Sequence, residues 1–389
     1  MFTLILSVLV FFFIYLSLCV PTSELTFFGR VKISLINLIK KFYSFLPQFL
    51  QTILFNKYDY LVNKPNPTIQ ILYLLLVLGL FYFYHAFGVY VFFPHKVIGY
   101  YLLFPAYALL GICIITFFVA STTDPGVITK KRINDLKKKY SIPSLFSDYT
   151  KNECSKCKIP LIPRSKHCYV CDVCIEKFDH HCIWVNKCIG VKNYRYFLLF
   201  LLSHCLLTAY AGGLGFTLLY YYIIENDLFH ATFFNSATRE RIDSDYLIVF
   251  KYVIGHHYAF FATNTMLVVI GITLLVFFLY HIYMIKGGFT TNERNKQVKT
   301  IRTMKILREI LIEVAKVKKY TFHFKQLSGD EVQKYKHITF YEPETDLEKL
   351  TEEEINTFYN FTEQSVFIFR RNPYNKGFYQ NMIDIIKGQ

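Results

Sequence analysis

Seven of the ten cysteines fall between positions 154 and 188. The segment reads Cys154-Ser-Lys-Cys157, then His167-Cys168-Tyr-Val-Cys171-Asp-Val-Cys174, then Asp179-His180-His181-Cys182, with Cys188 following. A two-residue spacer lets a tight turn bring two thiolates to one side, the usual arrangement for zinc. Two such knuckles with histidines close by point to metal, not to scattered disulfides or buried free thiols. The cluster holds ten candidate ligands, seven Cys and three His. Two closed tetrahedral sites take eight of them, so two are left over. Consecutive side chains point in different directions, so His180, His181 and Cys182 do not all bind one metal. One histidine and one cysteine stay free, side by side and next to Asp179. An acid, a histidine and a free thiol are the parts of a nucleophilic cysteine site. A base and nearby positive charge lower the thiol pKa, and the acid holds the imidazole in the useful tautomer.

These residues must be positioned by a membrane. Of 389 residues, 53% are hydrophobic, 19% aromatic and 18% charged, with 40 Phe and 31 Tyr. Soluble domains carry about 25% charged residues. The composition excludes a disordered chain, a coiled coil and a small disulfide scaffold. Apolar runs at 2–20, 69–93, 97–120, 196–224 and 258–285 each approach the about 20 residues a bilayer crossing needs. The first has no positive residue before it and no A-x-A-like site after it, so it is read as an anchor, not a signal peptide. The expectation is an all-α polytopic membrane protein. It has five transmembrane helices and a small cytosolic two-zinc, cysteine-rich domain between the third and fourth spans.

Charge sets the orientation. The net charge of +15 comes from 43 Lys+Arg and 28 Asp+Glu. Regions 21–68, 121–195 and 286–389 hold 39 of the basic residues, and 94–96 with 225–257 hold 4. Basic loops stay cytosolic, which explains the charge without nucleic acid. Cleavage of the first run would invert this and place the cysteines in an oxidising lumen. The chain thus divides into spans 1–3 (1–120) with a basic loop (21–68), and a cytosolic segment (121–195) with its cysteine-rich core at 154–197. Spans 4–5 (196–285) with a lumenal loop (225–257) and a cytosolic tail (286–389) follow. Residues 42–55 read either as an interfacial segment lying on the membrane or as an apolar loop packed on the helices. An amphipathic helix is expected over 301–319, through Ile306, Leu307, Ile310, Leu311 and Val314, with its basic face suited to an anionic membrane surface. A second helix is expected over 346–358. No internal repeat is visible.

The fourth span begins fourteen residues after Cys182, so the free thiol sits at the membrane surface. Its natural partner is an amphiphile with its reactive group at the interface. A fatty acyl thioester fits, because burying the chain contributes about 0.8 kcal/mol per methylene while the polar carrier stays in water.

Asp179-His180-His181-Cys182 within a cysteine-rich domain, between two spans, resembles the DHHC family of protein S-acyltransferases, the palmitoyltransferases. The likeness covers 154–197, through Arg164-Ser-Lys-His-Cys168, Cys188-Ile-Gly190, Asn193 and Phe197. Asp124-Pro125-Gly126, Thr290-Thr291-Asn292-Glu293 and Asn372-Pro-Tyr-Asn-Lys-Gly377, continuing to Asn381, lie where the family has further motifs. The resemblance implies one structural zinc on Cys154, Cys157, His167 and Cys174, and another on Cys168, Cys171, His181 and Cys188. It implies Cys182 as the acyl-accepting nucleophile, His180 as its base and Asp179 as the orienting acid. Acyl-CoA, typically palmitoyl-CoA, would be the co-substrate. Membrane lipid and cysteine-containing substrate proteins would be the partners. Thr290 would hydrogen-bond near Asp179, and Asn381 would dock the tail. Arg164, Lys166, Arg294 and Lys296 either supply positive charge for the carrier's phosphates or are solvated or lipid-facing charges, and Trp184, two residues from Cys182, either lines the acyl-chain entrance or anchors the chain at the interface.

The departures are specific. Cys182-Ile183-Trp184 replaces the common Cys-Pro-Trp, as in the family's spore-wall-formation branch, which favours the endoplasmic reticulum over the Golgi. Lys187 replaces a common Asn, and Leu161-Ile162 a common Lys-Pro. A ubiquitin-ligase-type zinc domain would leave no thiol beside an Asp-His pair. Intact Asp179, His180 and Cys182 argue against an inactive membrane scaffold. A channel or transporter would need ionisable residues in the spans. His85, His204 and His281 are the candidates, and none has an obvious partner in the sequence. Cys19, Cys113 and Cys205 are read as packing residues.

Overall fold

The computed structural model describes residues 43–64, 66–93, 98–140, 153–234, 239–317, 355–362 and 372–389, with a few isolated positions beside them. In chain order the elements are α1 (Gln48–Asn63), α2 (Thr68–Phe92), α3 (Tyr100–Thr122) and α4 (Ile133–Lys139), then β1 (Lys166–Cys168), β2 (Val173–Ile175), β3 (His180–Cys182) and β4 (Lys187–Ile189). There follow α5 (Tyr194–Glu225), β5 (Phe233–Phe234), β6 (Arg241–Ile242), α6 (Tyr246–His256), α7 (Tyr258–Lys286), α8 (Thr291–Val317) and α9 (Phe378–Lys387).

Among the described residues α2, α3, α5 and α7 are long and apolar enough to cross a membrane. They match the runs at 69–93, 97–120, 196–224 and 258–285 to within three residues. The run at 2–20 lies outside the described residues. α5 is the central helix, packed on α3 along one side and on α7 along the other, while α2 lies against α7. Gly215 allows the close approach of α5 to α7, because a Cβ there would overlap the amide of Asn264. Lipid is as apolar as these side chains, so packing and cross-helix hydrogen bonds hold such bundles, at about 1 kcal/mol per bond.

The three span histidines all find tyrosine partners. Tyr73 Oη lies 2.7 Å from His204 Nε2, Tyr107 Oη 2.8 Å from His85 Nε2, and Tyr194 Oη 2.8 Å from His281 Nδ1. Each tyrosine contact is a cross-helix hydrogen bond, joining α2 to α5, α2 to α3 and α5 to α7.

Two apolar clusters mark the ends of the bundle. One gathers Tyr84, Phe92, Leu214, Leu218 and Phe260 with Val249 and Val253 of α6. The segment expected as a lumenal loop at 225–257 therefore carries a helix, with Asp245 Oδ1 accepting from the Ile248 amide at the start of α6. At 11 residues α6 is apolar but too short to span. The other cluster joins Tyr73, Phe117, Phe200 and Leu201 of the helices to Cys182, Val185 and Ile189 of the cysteine-rich segment.

The tail helix begins ten residues earlier than expected. Thr290 Oγ1 accepts from the Glu293 amide at 3.2 Å, and Glu293 Oε2 accepts from the Thr290 amide at 2.9 Å. This reciprocal capping box starts α8 directly after α7. Residues 355–362 are helical, with Tyr359 Oη 3.3 Å from Arg308 of α8. The rest of the helix expected at 346–358 lies mainly outside the described residues. In the segment expected at the interface, Pro47 precedes α1, and Phe45, Phe49 and Phe55 are exposed.

Candidate active site and metal centres

Two small hairpins build the site. β1 pairs antiparallel with β2, placing His167 opposite Cys174, and β3 pairs with β4, placing His181 opposite Cys188. Opposed residues share a face of a hairpin, and successive residues alternate faces. His167 and Cys174 meet Cys154 and Cys157. Cys168 turns the other way and meets Cys171, His181 and Cys188. Within each quartet all ligand atoms lie within 4.8 Å of one another. His167 Nδ1 is 3.3 Å from Cys157 Sγ and 3.8 Å from Cys174 Sγ. His181 Nδ1 is 3.3, 3.6 and 3.8 Å from the sulfurs of Cys171, Cys188 and Cys168. These edges suit a tetrahedral ion with ligands at about 2.0–2.3 Å, and three thiolates with one imidazole are a closed, structural zinc set.

The same alternation leaves His180 and Cys182 on the face of β3 opposite His181. Asp179 precedes them, 2% exposed. Its Oδ2 is 2.7 Å from His180 Nδ1, and its Oδ1 accepts from the Thr291 amide at 2.6 Å. The contact expected from Thr290 is therefore made by the main chain of Thr291. The Thr290 hydroxyl is occupied in the cap of α8.

Burial alone would raise the Asp179 carboxyl, but the bonded His180 outweighs it and holds it below the usual range. Burial would lower His180, yet Asp179 and Cys182 push it up to about 10. Burial would also raise the Cys182 thiol, and the His180 ring more than offsets this, so it lies below its ordinary value. Together these shifts favour a thiolate–imidazolium pair. Cys182 is 6% exposed and belongs to the cluster with Tyr73, Phe117, Phe200 and Leu201, so its sulfur faces the apolar end of the bundle.

The flanking motifs brace this arrangement. Asp124 Oδ1 accepts from the Gly126 and Val127 amides, and its Oδ2 takes Lys192 at 2.7 Å. Gly190 passes so close to the Pro125 carbonyl that a Cβ would not fit without a shift. Asn193 ties β4 to α5, donating to the Cys188 carbonyl and accepting from the Gly190 amide, both at 2.9 Å. Buried Glu176 holds Arg132, Lys139 and Tyr140, which fastens α4 to the hairpins. Asn381 of α9 donates to the Ile285 carbonyl at the end of α7.

The residues expected to meet carrier phosphates are not alike. Arg164 is committed elsewhere: Nε and Nη2 each lie 2.7 Å from the Glu293 carboxylate, Nη2 also donates to the Gly288 carbonyl, and the guanidinium stacks over Tyr374. It is a strut between the hairpins and α8, not a phosphate contact. Lys166 is exposed beside the Phe178 ring, Lys296 is half-buried, and Arg294 is bonded to Gln297. Trp184 is half-buried against the Cys182 cluster. A crevice of about 480 Å³ lies behind Asp179, lined by Lys139, Lys177, Tyr374 and Lys376. Neither His180 nor Cys182 lines it.

The family described as DHHC palmitoyltransferase matches residues 147–298. Palmitoyltransferase ZDHHC4 of Mus musculus is 30% identical over 259 residues, 64% of this chain and 71% of that protein. The chain belongs to the DHHC palmitoyltransferase family. Palmitoyltransferase swf1 of Schizosaccharomyces pombe is 28% identical over 306 residues, covering 74% of this chain and 80% of its own length. Palmitoyltransferase ZDHHC4 of Bos taurus is 28% identical over 296 residues, covering 73% and 83%. As a DHHC-domain, acyltransferase-like membrane protein, the chain has a site consistent with acyl transfer to cysteine.

Three contributions to this site differ from, or go beyond, what the sequence singles out. The Thr291 amide carries no side-chain signal. The T-x-x-E pattern at 290–293 was legible as a capping box but was read only as a motif. The Tyr194–His281 pair joins two helices 87 residues apart in sequence, and neither partner could be matched to the other from spacing.

Proposed function

We propose that this protein is a protein S-acyltransferase that moves a long-chain fatty acyl group, typically palmitoyl, from acyl-CoA to Cys182 and then to cysteines of substrate proteins. One observation carries the reading. β3 puts His181 among the sulfurs of Cys168, Cys171 and Cys188 and leaves His180 with Cys182 on the opposite face, against the apolar cluster of the bundle. His180 holds the thiol proton, and Asp179 fixes the ring through Nδ1. The Cys182 thiolate attacks the thioester carbonyl carbon, and the departing CoA thiolate takes the proton from His180. A substrate thiol then attacks the acyl-enzyme with His180 as base. Both zinc ions would hold the hairpins and take no step.

The domain boundaries drawn above, with five spans and the hairpins after the third, complete the reading. So does a cytosolic zinc domain and tail in an endoplasmic reticulum or Golgi membrane, supported by the basic loops. Membership of the spore-wall-formation branch rests on Cys182-Ile183-Trp184 together with the likeness to swf1. Lys166, Arg294 and Lys296 remain the proposed phosphate contacts.

The test is purified protein supplied with a mixture of acyl-CoAs and analysed by mass spectrometry at Cys182. A hydroxylamine-labile acyl adduct is expected, absent in Cys182→Ser, and the mixture ranks the chain lengths. Label persisting at wild-type level in Cys182→Ser overturns the assignment. The alternative of an inactive membrane scaffold predicts no adduct in either protein.

A further inference from the structure

His281 is a buried imidazole that the mechanism above does not use. It lies in α7 with Phe277 one turn before it and Ile285 one turn after it, and both belong to the apolar cluster that contains Cys182. Its side chain is fully buried. Its ring centroid is 6.1 Å from that of His180, and the Phe197 ring packs edge-on against both at 5.1 Å.

The proton on this ring can be located. The Tyr194 hydroxyl lies 2.8 Å from Nδ1, and among the described residues it has no other acceptor. A buried hydroxyl donates where it can, so Nδ1 accepts and the neutral ring carries its hydrogen on Nε2. Nε2 is buried and has no partner among the described residues. Leaving such a donor unmade costs about 1–3 kcal/mol. A fatty acyl thioester brings one oxygen into these apolar surroundings, its carbonyl.

We propose, resting on the acyltransferase reading, that His281 is a further catalytic residue whose Nε2–H donates a hydrogen bond to the thioester carbonyl oxygen as Cys182 attacks. The new bond joins Cys182 Sγ to the carbonyl carbon, and the C=O π electrons move to oxygen. His281 binds that oxyanion without giving up its proton. Collapse restores the carbonyl and breaks the bond to the CoA sulfur, which takes its proton from His180. The acyl-enzyme and free CoA account for every atom.

The test compares two reactions of the same sulfur in the full-length protein. Acyl-enzyme formation from palmitoyl-CoA passes through an oxyanion, whereas alkylation by iodoacetamide does not. His281→Phe keeps a ring and removes the donor. It should slow single-turnover acylation about 100-fold, the usual size for loss of one oxyanion donor, and leave the alkylation rate within twofold. His281→Gln restores an N–H and should recover part of the loss. Tyr194→Phe frees the tautomer and should slow acylation alone by a smaller factor, which keeps the question decidable if His281→Phe does not fold. Equal loss in both reactions, or unchanged acylation, overturns the proposal. Absence of acylation in the wild-type protein would instead defeat the acyltransferase reading.

Discussion

At the scale of single residues, the decisive fact is which sulfur escapes metal. Composition and spacing reached a count, eight ligands and two spares, but could not say which. The answer depends on 180–182 being extended, because only then do His180 and Cys182 share a face that excludes His181. A three-residue strand shows no periodicity, so that face could not be read from the sequence and came there only by resemblance. The register also places Lys187 directly across from Cys182. Its side chain therefore rises on the same face as the thiol. Lys187 is half-buried, and water screens such a charge strongly. Lys187→Asn is expected to change the single-turnover acylation rate by less than about threefold. A tenfold gain would mean that this lysine suppresses the chemistry, and would favour the scaffold reading.

At the scale of elements, long helices were legible because a bilayer imposes length and apolarity together. What failed were short elements whose stability comes from contact: the zinc hairpins, α6 and α9. The start of α8 failed for another reason. Thr290 and Glu293 were read as a family motif, although their spacing alone signals a helix cap. Glu293 has two roles there, since it also takes both faces of the Arg164 fork at 5% side-chain exposure. Removing one member of a buried pair strands the other charge, at about 3–5 kcal/mol, whereas replacing both with apolar groups is often neutral. Glu293→Ala should therefore lower the unfolding free energy of the detergent-solubilised protein, measured by denaturant titration, by an amount in that range. Arg164→Met with Glu293→Leu should recover most of it, short of the cap. A Glu293→Ala protein within about 1 kcal/mol of wild type would show that this strut does not hold the hairpins to the tail.

At the scale of the whole molecule, sidedness follows from the four described spans without reference to the run at 2–20. The hairpins enter at the start of α5, and α8 leaves from the end of α7, so both belong to one end of the bundle. α6 and the β5–β6 hairpin pack at the other end. Even parity then returns the residues before α2 to the same side as the hairpins. The basic residues obey this division, with 39 in 21–68, 121–195 and 286–389 and 4 in 94–96 and 225–257. The hairpin end should therefore face the cytosol, where thiols stay reduced and acyl-CoA is made. Sealed microsomes test this directly. An epitope tag inserted between β5 and β6 should survive external protease until detergent is added, and a tag after Gln389 should be lost at once. The reverse pattern would put Cys182 on the far side of the membrane from its acyl donor, and the transferase reading could not stand.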